Sequence, residues 1–451
     1  MGIDISIGWL TIIMFGSLIV LLMAGLPLAF VTGGLACVFL FVLGDAQALN
    51  IVPSRIFPLM TNYQLSAIPL FIFMAAMLER AGIINEMFDV IYKVLGGLKG
   101  GLASATIIAS TILAAMVGVI GAAVVTMGII ALPAMLRRQY DPKIAMGSIM
   151  AGGTLGILIP PSILAIIYAV VAEQSVGELF IGAVFPGLLL SGMYILYVTA
   201  RSYINPMLGP PIPLDERVSN REKIGLLSRM SAPISLIVIV LGVIFTGVAT
   251  PVEAAGIGTF GAFIVAAIHR KLDWPTVREA CLTTLKASAM VIWIMFGATI
   301  FVGLYVLEGG QDFVQDLLRG TGLGPWGILI IMQIVLIVLG MFLDWVGILL
   351  LCVPIFVPII RALGADAFGL ESSQDLVLWF GVIYLVNMQM SFLSPPFGYA
   401  LFYLRGVAPP SIPMGDIFRA ALPFLAIQVI GLALCMIFPD IIIWLPRAVY
   451  G

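Results

Sequence analysis

Between Gly100 and Leu136 the chain carries no charged residue. One spanning helix needs about 20 apolar residues, so these 37 residues are long for one crossing and short for two. The run is interrupted at residues 117–122 by Gly118 and Gly121, and it is flanked by Lys99 on one side and by Arg137 and Arg138 on the other. The pattern predicts a re-entrant hairpin (about 100–136) that enters and leaves by one face, with a glycine-rich tip inside. A second run of hairpin length, 323–360, carries a single charge, Asp344, at its middle.

Each hairpin precedes an apolar helix broken by a double proline, GGTLGILIPPS at 152–162 and QMSFLSPPFG at 389–398. Interior prolines remove backbone donors and free carbonyls one turn upstream. In lipid those groups need partners, and broken backbone at membrane depth is tolerated where protein or a water-filled cavity covers it. In transporters such breaks line ion and substrate sites. The broken helices are expected over about 144–173 and 376–404.

Hydrophobic residues make up 62% of the chain and charged residues 10%, against about 25% charged in soluble domains. The expected fold is an all-α polytopic membrane protein. A net charge of -2 and the lack of a basic stripe exclude a nucleic-acid binder. The sequence has no GxSxG motif, no Walker loop and no His/Cys/Asp/Glu set at metal-ligand spacing, so it reads as a non-enzyme without a transition-metal site.

Spans are expected at 7–24, 26–43, 67–81, 178–200, 231–248, 252–268, 287–307 and 420–438. Residues 45–66 read as a polar connection. Residues 84–98, 272–286 and 311–318 read as amphipathic pieces at the interface. Prolines align the two halves: Pro27 with Pro251, Pro133 with Pro358, Pro160 with Pro395 and Pro186 with Pro423, at offsets of 224, 225, 235 and 237. One longer loop, 361–375, accounts for the jump. This predicts a duplication, with repeats at 1–205 and 230–451 joined by a cytoplasmic linker, 206–229. If each unit crosses five times and the N-terminus lies outside, all but Arg55, Arg319, Arg361 and Arg447 of the 21 Lys and Arg residues fall inside. An odd number of crossings inverts one repeat relative to the other, and both termini are then expected outside.

Na+ is a hard cation suited to oxygen ligands. Candidate donors are Gly118, Gly121, Gly153, Thr154, Gly156 and Ile159 at the first tip and break. Asp344, Gly347, Met390, Ser391 and Ser394 form the counterpart at the second. A carboxylate at membrane depth is costly to bury and marks function; Asp344 also suits a helix cap. No basic residue lies in either hairpin or broken core. An anionic substrate would therefore be held by helix N-termini, amides and hydroxyls, with Thr126, Ser162, Gln389, Pro160 and Pro395 as candidates.

The strings AMLRRQYDPKIAMGSIMAGGTLGILIPPSI, EQSVGELFIGAVFPGLLL, LGMFLDWVGILLLCVPIFVPII and MSFLSPPFGYALFYLRGVAP resemble the large permease (M) subunit of TRAP transporters, in the ion transporter superfamily. The resemblance covers essentially the whole chain. It implies a bacterial inner-membrane, elevator-type secondary importer driven by Na+, with a mobile transport domain of hairpins and broken helices against a scaffold. It also implies a small membrane (Q) subunit, a periplasmic substrate-binding (P) protein and a small organic-acid substrate. The first tip, GVIGAAVVT, departs from the hydroxyl-rich tip of many relatives, which favours carbonyl donors there. No fused small subunit is evident, so a separate one is expected. The alternative reading is a stand-alone Na+-coupled carboxylate symporter of the same superfamily that needs no binding protein. A membrane-embedded enzyme or a passive channel is a third class, for which the sequence offers no acid/base pair.

Overall fold

The computed structural model describes residues 5–118, 120–213 and 217–451; Val119, inside the expected first tip, lies outside them. The described residues are helical, with no strand among them. In chain order the helices are α1 (Ile7–Met23), α2 (Leu28–Ala48), α3 (Ile51–Met60), α4 (Ala67–Arg80), α5 (Ile83–Leu95), α6 (Gly101–Val117) and α7 (Ile120–Arg137). Next come α8 (Pro142–Thr154), α9 (Ile163–Ala172), α10 (Val176–Ile204), α11 (Asn220–Arg229), α12 (Ser231–Phe245), α13 (Pro251–Ile268) and α14 (Trp274–Leu307). The chain closes with α15 (Gly310–Gly320), α16 (Pro325–Gly340), α17 (Trp345–Leu363), α18 (Ser373–Leu393), α19 (Tyr399–Val407), α20 (Met414–Ile437) and α21 (Asp440–Tyr450). Among the described residues seven helices are long and apolar enough to cross a membrane, which makes the chain a multi-pass membrane protein.

Both expected hairpins fold back on themselves. The Tyr140 hydroxyl, just past α7, accepts from the Leu102 N–H at the start of α6 (3.2 Å), closing the first at its base. At the second, Trp326 at the start of α16 packs edge-on against Phe368 beyond α17, with ring centroids 5.3 Å apart. Both broken helices are also present: α8 gives way to α9 across Pro160-Pro161, and α18 to α19 across Pro395-Pro396.

Four elements differ from the sequence expectation. Residues 45–66 hold helix α3, which keeps Pro58 inside it. The pieces expected at 272–286 and 287–307 form the single 34-residue α14, because no glycine or proline separates them; Asp273 caps its start by accepting from Thr276 N–H (2.8 Å). At 1.5 Å per residue α14 spans about 50 Å, so it outruns a hydrocarbon core of about 30 Å. The linker forms α11, opened by a capping box in which Ser219 and Glu222 satisfy each other's backbone. Finally, α21 follows α20 after a break at Phe438.

The ends of the bundle differ in charge. At one end Arg80 pairs with Glu279 (3.1 Å), His269 stands 3.5 Å from Glu86, and Arg217 donates to the Ile212 carbonyl (3.0 Å). The Gly100 and Asp141 N–H groups donate there to Gly209 and Leu208, tying the first hairpin's base to the segment after α10. At the other end Arg361 donates to the Ala172 carbonyl (3.2 Å), Gln174 donates to that of Gln374 (2.7 Å), and Arg447 bridges Glu371 and Asp375.

Candidate functional site

The first hairpin and first break are built around close backbone approach. Asp141 caps α8 by accepting from the Lys143 and Ile144 N–H groups (2.8 and 3.2 Å). After Thr154 the chain tightens into a single 3-10 turn, bends through Ile159, Pro160 and Pro161, and restarts at α9 from the extended Ser162. Gly118 ends α6 with φ +59°, a conformation that side chains disfavour. A Cβ there would lie 3.0 Å from the Pro161 carbonyl, so the tip sits on the break. Gly121 faces the Tyr403 ring, 3.1 Å from where its Cβ would be.

The other candidates around this break are already engaged. Ser162 caps α9: its hydroxyl accepts from the Ala165 N–H (3.3 Å) and donates to the Ile157 carbonyl. The Thr154 hydroxyl donates to the Ala151 carbonyl (2.8 Å) and accepts from Gln428 on α20 (3.3 Å). Gly153 leaves room for Val124 of α7, a packing role, and Gly156 is buried in the turn. Ile159 and Pro160 line an apolar cavity of about 310 Å³ with α6, α10 and α12, away from the tip. Thr126 is one helical turn or more past the tip and hydrogen-bonds Glu79 of α4.

At the second hairpin Asp344 caps α17, its carboxylate accepting from the Val346 N–H (3.2 Å). Phe342 of the tip packs on Phe397 of the break (centroids 5.8 Å apart). Gly340 leaves room for Ser391, whereas Gly347 leaves room for Leu28 of α2 and so serves packing. The Ser394 hydroxyl donates to the Met390 carbonyl (2.7 Å), and the Ser394 carbonyl accepts from the Gly398 N–H (3.0 Å). Met390, Gln389 and Ser391 are buried, and Pro395 is half-buried. Neither end of the Gln389 amide has a partner. Beside it, Asn387 donates to the side chain and backbone of Gln333 on α16 (2.7 and 3.0 Å).

The two halves cross over. The returning arm of the first hairpin, α7, packs on α19 beyond the second break, and the returning arm of the second, α17, packs on α9 beyond the first. A cavity of about 620 Å³ opens beside this crossing. On one side it is lined by Phe342, Asp344, Ile163, Tyr399 and Tyr403, and on the other by α4, α14 and the α1–α2 turn. Asp344 is its one charged lining residue. Thus Asp344 lines this cavity, Gly121 lies against its Tyr403, Gly347 against its Leu28 and Gly118 beside its Ile163, whereas Thr126, Pro160 and Gly153 make their contacts elsewhere. Tyr399 and Tyr403 were missed by sequence reasoning. Their signal is an i, i+4 pair on the first turns after a break, which faces one side of a helix.

Residues 15–441 match the family model described as tripartite ATP-independent periplasmic transporter, DctM component. The chain is 32% identical over 417 residues to the C4-dicarboxylate TRAP transporter large permease protein DctM of Pseudomonas aeruginosa, covering 92% of this chain and 93% of that one. It is 29% identical to the isethionate TRAP transporter permease protein DctMQ of Oleidesulfovibrio alaskensis, covering 95% of this chain and 65% of that one. Among solved structures it resembles the Alcanivorax borkumensis YdaH transporter in fold, with a TM-score of 0.63 at 14% identity, covering 89% of this chain and 91% of that one.

Proposed function

Because the chain belongs to the DctM component family of tripartite ATP-independent periplasmic transporters, we propose that it is the membrane permease subunit of a Na+-coupled, binding-protein-dependent importer of small organic anions in a bacterial inner membrane. The observation that carries this reading is the cavity where the second hairpin tip meets α9 and α19, the helices that restart after the two breaks, with Asp344 as its one charge. A half-buried carboxylate in a turn at membrane depth, beside a helix break, suits Na+ as a coupling ion. Backbone carbonyls at Gly118 and Gly121, with those of the turn after Thr154, would hold one Na+. Asp344 with Met390, Ser391 and Ser394 would hold another.

In this reading the units 1–205 and 230–451 are inverted repeats. Helices α6–α9 and α16–α19 form the part that moves, and α2, α4, α13 and α14 form a static wall. An anion bound near Tyr399 and Tyr403 would be carried past that wall as an elevator, its charge offset by Na+ and by the α9 and α19 N-termini. The cation-rich end, with Arg80 and Arg217, faces the cytoplasm, as the positive-inside rule requires. A small membrane (Q) subunit and a periplasmic binding (P) protein complete the transporter; the name DctMQ of the longer relative supports the first.

The test is reconstitution into proteoliposomes with partner Q and P proteins, followed by uptake of labelled dicarboxylates under an inward Na+ gradient. Uptake that needs both the gradient and the P protein is expected. Equal uptake without the P protein would instead establish the stand-alone symporter.

A further inference from the structure

A second cavity, about 310 Å³, lies at the end of the bundle opposite the cation-rich one. Its walls are α3, α9, α14, α15 and α17, and its polar lining is Arg55, Thr299 and Gln311. Among the described residues Arg55 has no hydrogen bond or ion-pair partner. It is half-buried, next to Leu59, Val170, Val302 and Leu350. Of the other arginines at this end, Arg361 is satisfied by the Ala172 carbonyl and Arg447 by Glu371 and Asp375, while Arg319 is exposed. A guanidinium held against apolar surface without a counter-charge is costly, and its fork matches a carboxylate in a way no point charge does.

The local backbone is shaped to hold it. A Cβ at Gly303 would stand 3.1 Å from the Arg55 Nε and 3.3 Å from its Cζ, so the guanidinium lies close over α14, where a larger residue would press on it. Three helices connect this cavity to the larger one. Ile163, Ile294 and Trp345 line the first, and Val170, Thr299 and Leu350 on the same helices line the second. Seven residues of α9 separate the linings, about 10 Å at 1.5 Å per residue. Neither cavity has another Lys or Arg in its lining.

From this geometry we infer that the Arg55 cavity is a receiving site for the carboxylate of a small organic anion, at the outer end of the path to the Asp344 cavity. Arg55 binds the carboxylate by its fork, and Gln311 and Thr299 offer further polar contacts. The role on a path rests on the transport reading above; the binding does not. Arg55 supplies the positive charge that the inner cavity lacks, outside the moving tips, so the anion need not drag an arginine through the cycle.

Modification of Arg55 by phenylglyoxal, followed by peptide mass spectrometry on the full-length protein, tests binding without transport. Succinate is the probe, neutral succinamide the control and Arg447 the internal reference. Protection scales as 1 + [L]/Kd, so succinate at twice its dissociation constant is expected to slow adduct formation at Arg55 about threefold, with Arg447 unchanged and succinamide without effect. Equal rates with succinate, succinamide and buffer overturn the inference. So does protection by the P protein alone, which would make Arg55 a docking residue. In proteoliposomes Arg55→Gln is expected to raise KM more than it lowers kcat, with Arg55→Lys between it and the wild type. Protection without Na+-driven uptake would refute the transport reading and keep the site; uptake with no protection and an unchanged KM in Arg55→Gln would do the reverse.

Discussion

In the proposed function Asp344 would have two separable duties, capping and ion binding, and two substitutions divide them. Its carboxylate caps α17 through the Val346 N–H (3.2 Å), and it is the one charge on the 620 Å³ cavity. Asparagine caps about as well as aspartate, whereas alanine forfeits about 1 kcal/mol. Asp344→Asn should therefore leave folded yield near wild type, and Asp344→Ala should lower it. For a coupling ion 4 to 8 Å from the carboxylate, unit charges interact by about 2–4 kcal/mol at an effective dielectric of ~20. Removing the charge then weakens Na+ affinity by about 30- to 1,000-fold, at ~1.4 kcal/mol per decade. The assay is the Na+ dependence of uptake in proteoliposomes, with protein amount fixed by fluorescence size exclusion. Both variants should need far more Na+, and only alanine should also lose yield. Wild-type Na+ activation in Asp344→Asn would refute the assignment and leave Asp344 as a cap.

Three further outcomes follow from the packing. Gly118→Ala forces a side chain into the left-handed region at 3.0 Å from the Pro161 carbonyl; a cost of about 1–2 kcal/mol should lower the thermal midpoint in detergent, and an unchanged midpoint would mean the tip does not sit there. A Cβ at Gly297 would stand 2.5 Å from the Ala29 carbonyl and against the Thr32 hydroxyl, so Gly297→Val should overpack α2 against α14 by about 1–3 kcal/mol and cut folded yield, where a normal yield would disprove that close approach. Glu222 is held below its ordinary carboxylate range by the Ser219 backbone N–H and then by its hydroxyl. A depressed folded value stabilises α11 above the unfolded pKa and loses that stability as pH falls through the folded one. Limited proteolysis of the 217–229 segment should accelerate below about pH 4.5, and Ser219→Ala should abolish the acceleration; a rate flat in pH would contradict the capping box.

Where the chain announces its own breaks, the fold was readable. An uncharged run too long for one span, with glycines in its middle, gave the first hairpin, and Pro160-Pro161 and Pro395-Pro396 gave both broken helices. Where composition changes without a breaker, reading failed. Lys286 and Ala287 mark a change from amphipathic to apolar, but a helix needs no uniform composition, so α14 runs through. Conversely residues 45–66 read as a polar connection, yet α3 forms there: Pro53 sits near its start, where a proline removes a donor that had no partner, and Pro58 is carried inside it. The capping box that opens α11 was in plain sight as Ser219 and Glu222, hidden only by the prolines before it.

The site was legible in kind but not in membership, and the reason is physical. A glycine in a membrane helix either exposes its backbone to a ligand or yields space to a neighbour. These two uses look alike in sequence because the neighbour is remote: Val124 for Gly153, Leu28 for Gly347. The same holds for hydroxyls, since Ser162 is occupied by capping and Thr154 by Gln428, which is 274 residues away. Charge behaves differently, because a charged group in lipid has few places to be. Asp344 was singled out by its isolation, and the structure puts it on the cavity wall. Arg55 was isolated too, one of four cations assigned to the outer face, but its sequence surroundings resemble a connection rather than a cavity. In the proposed transport cycle the pair would divide the labour: Arg55 would meet the arriving anion outside the hairpin tips, and Asp344 would hold the coupling cation within one of them.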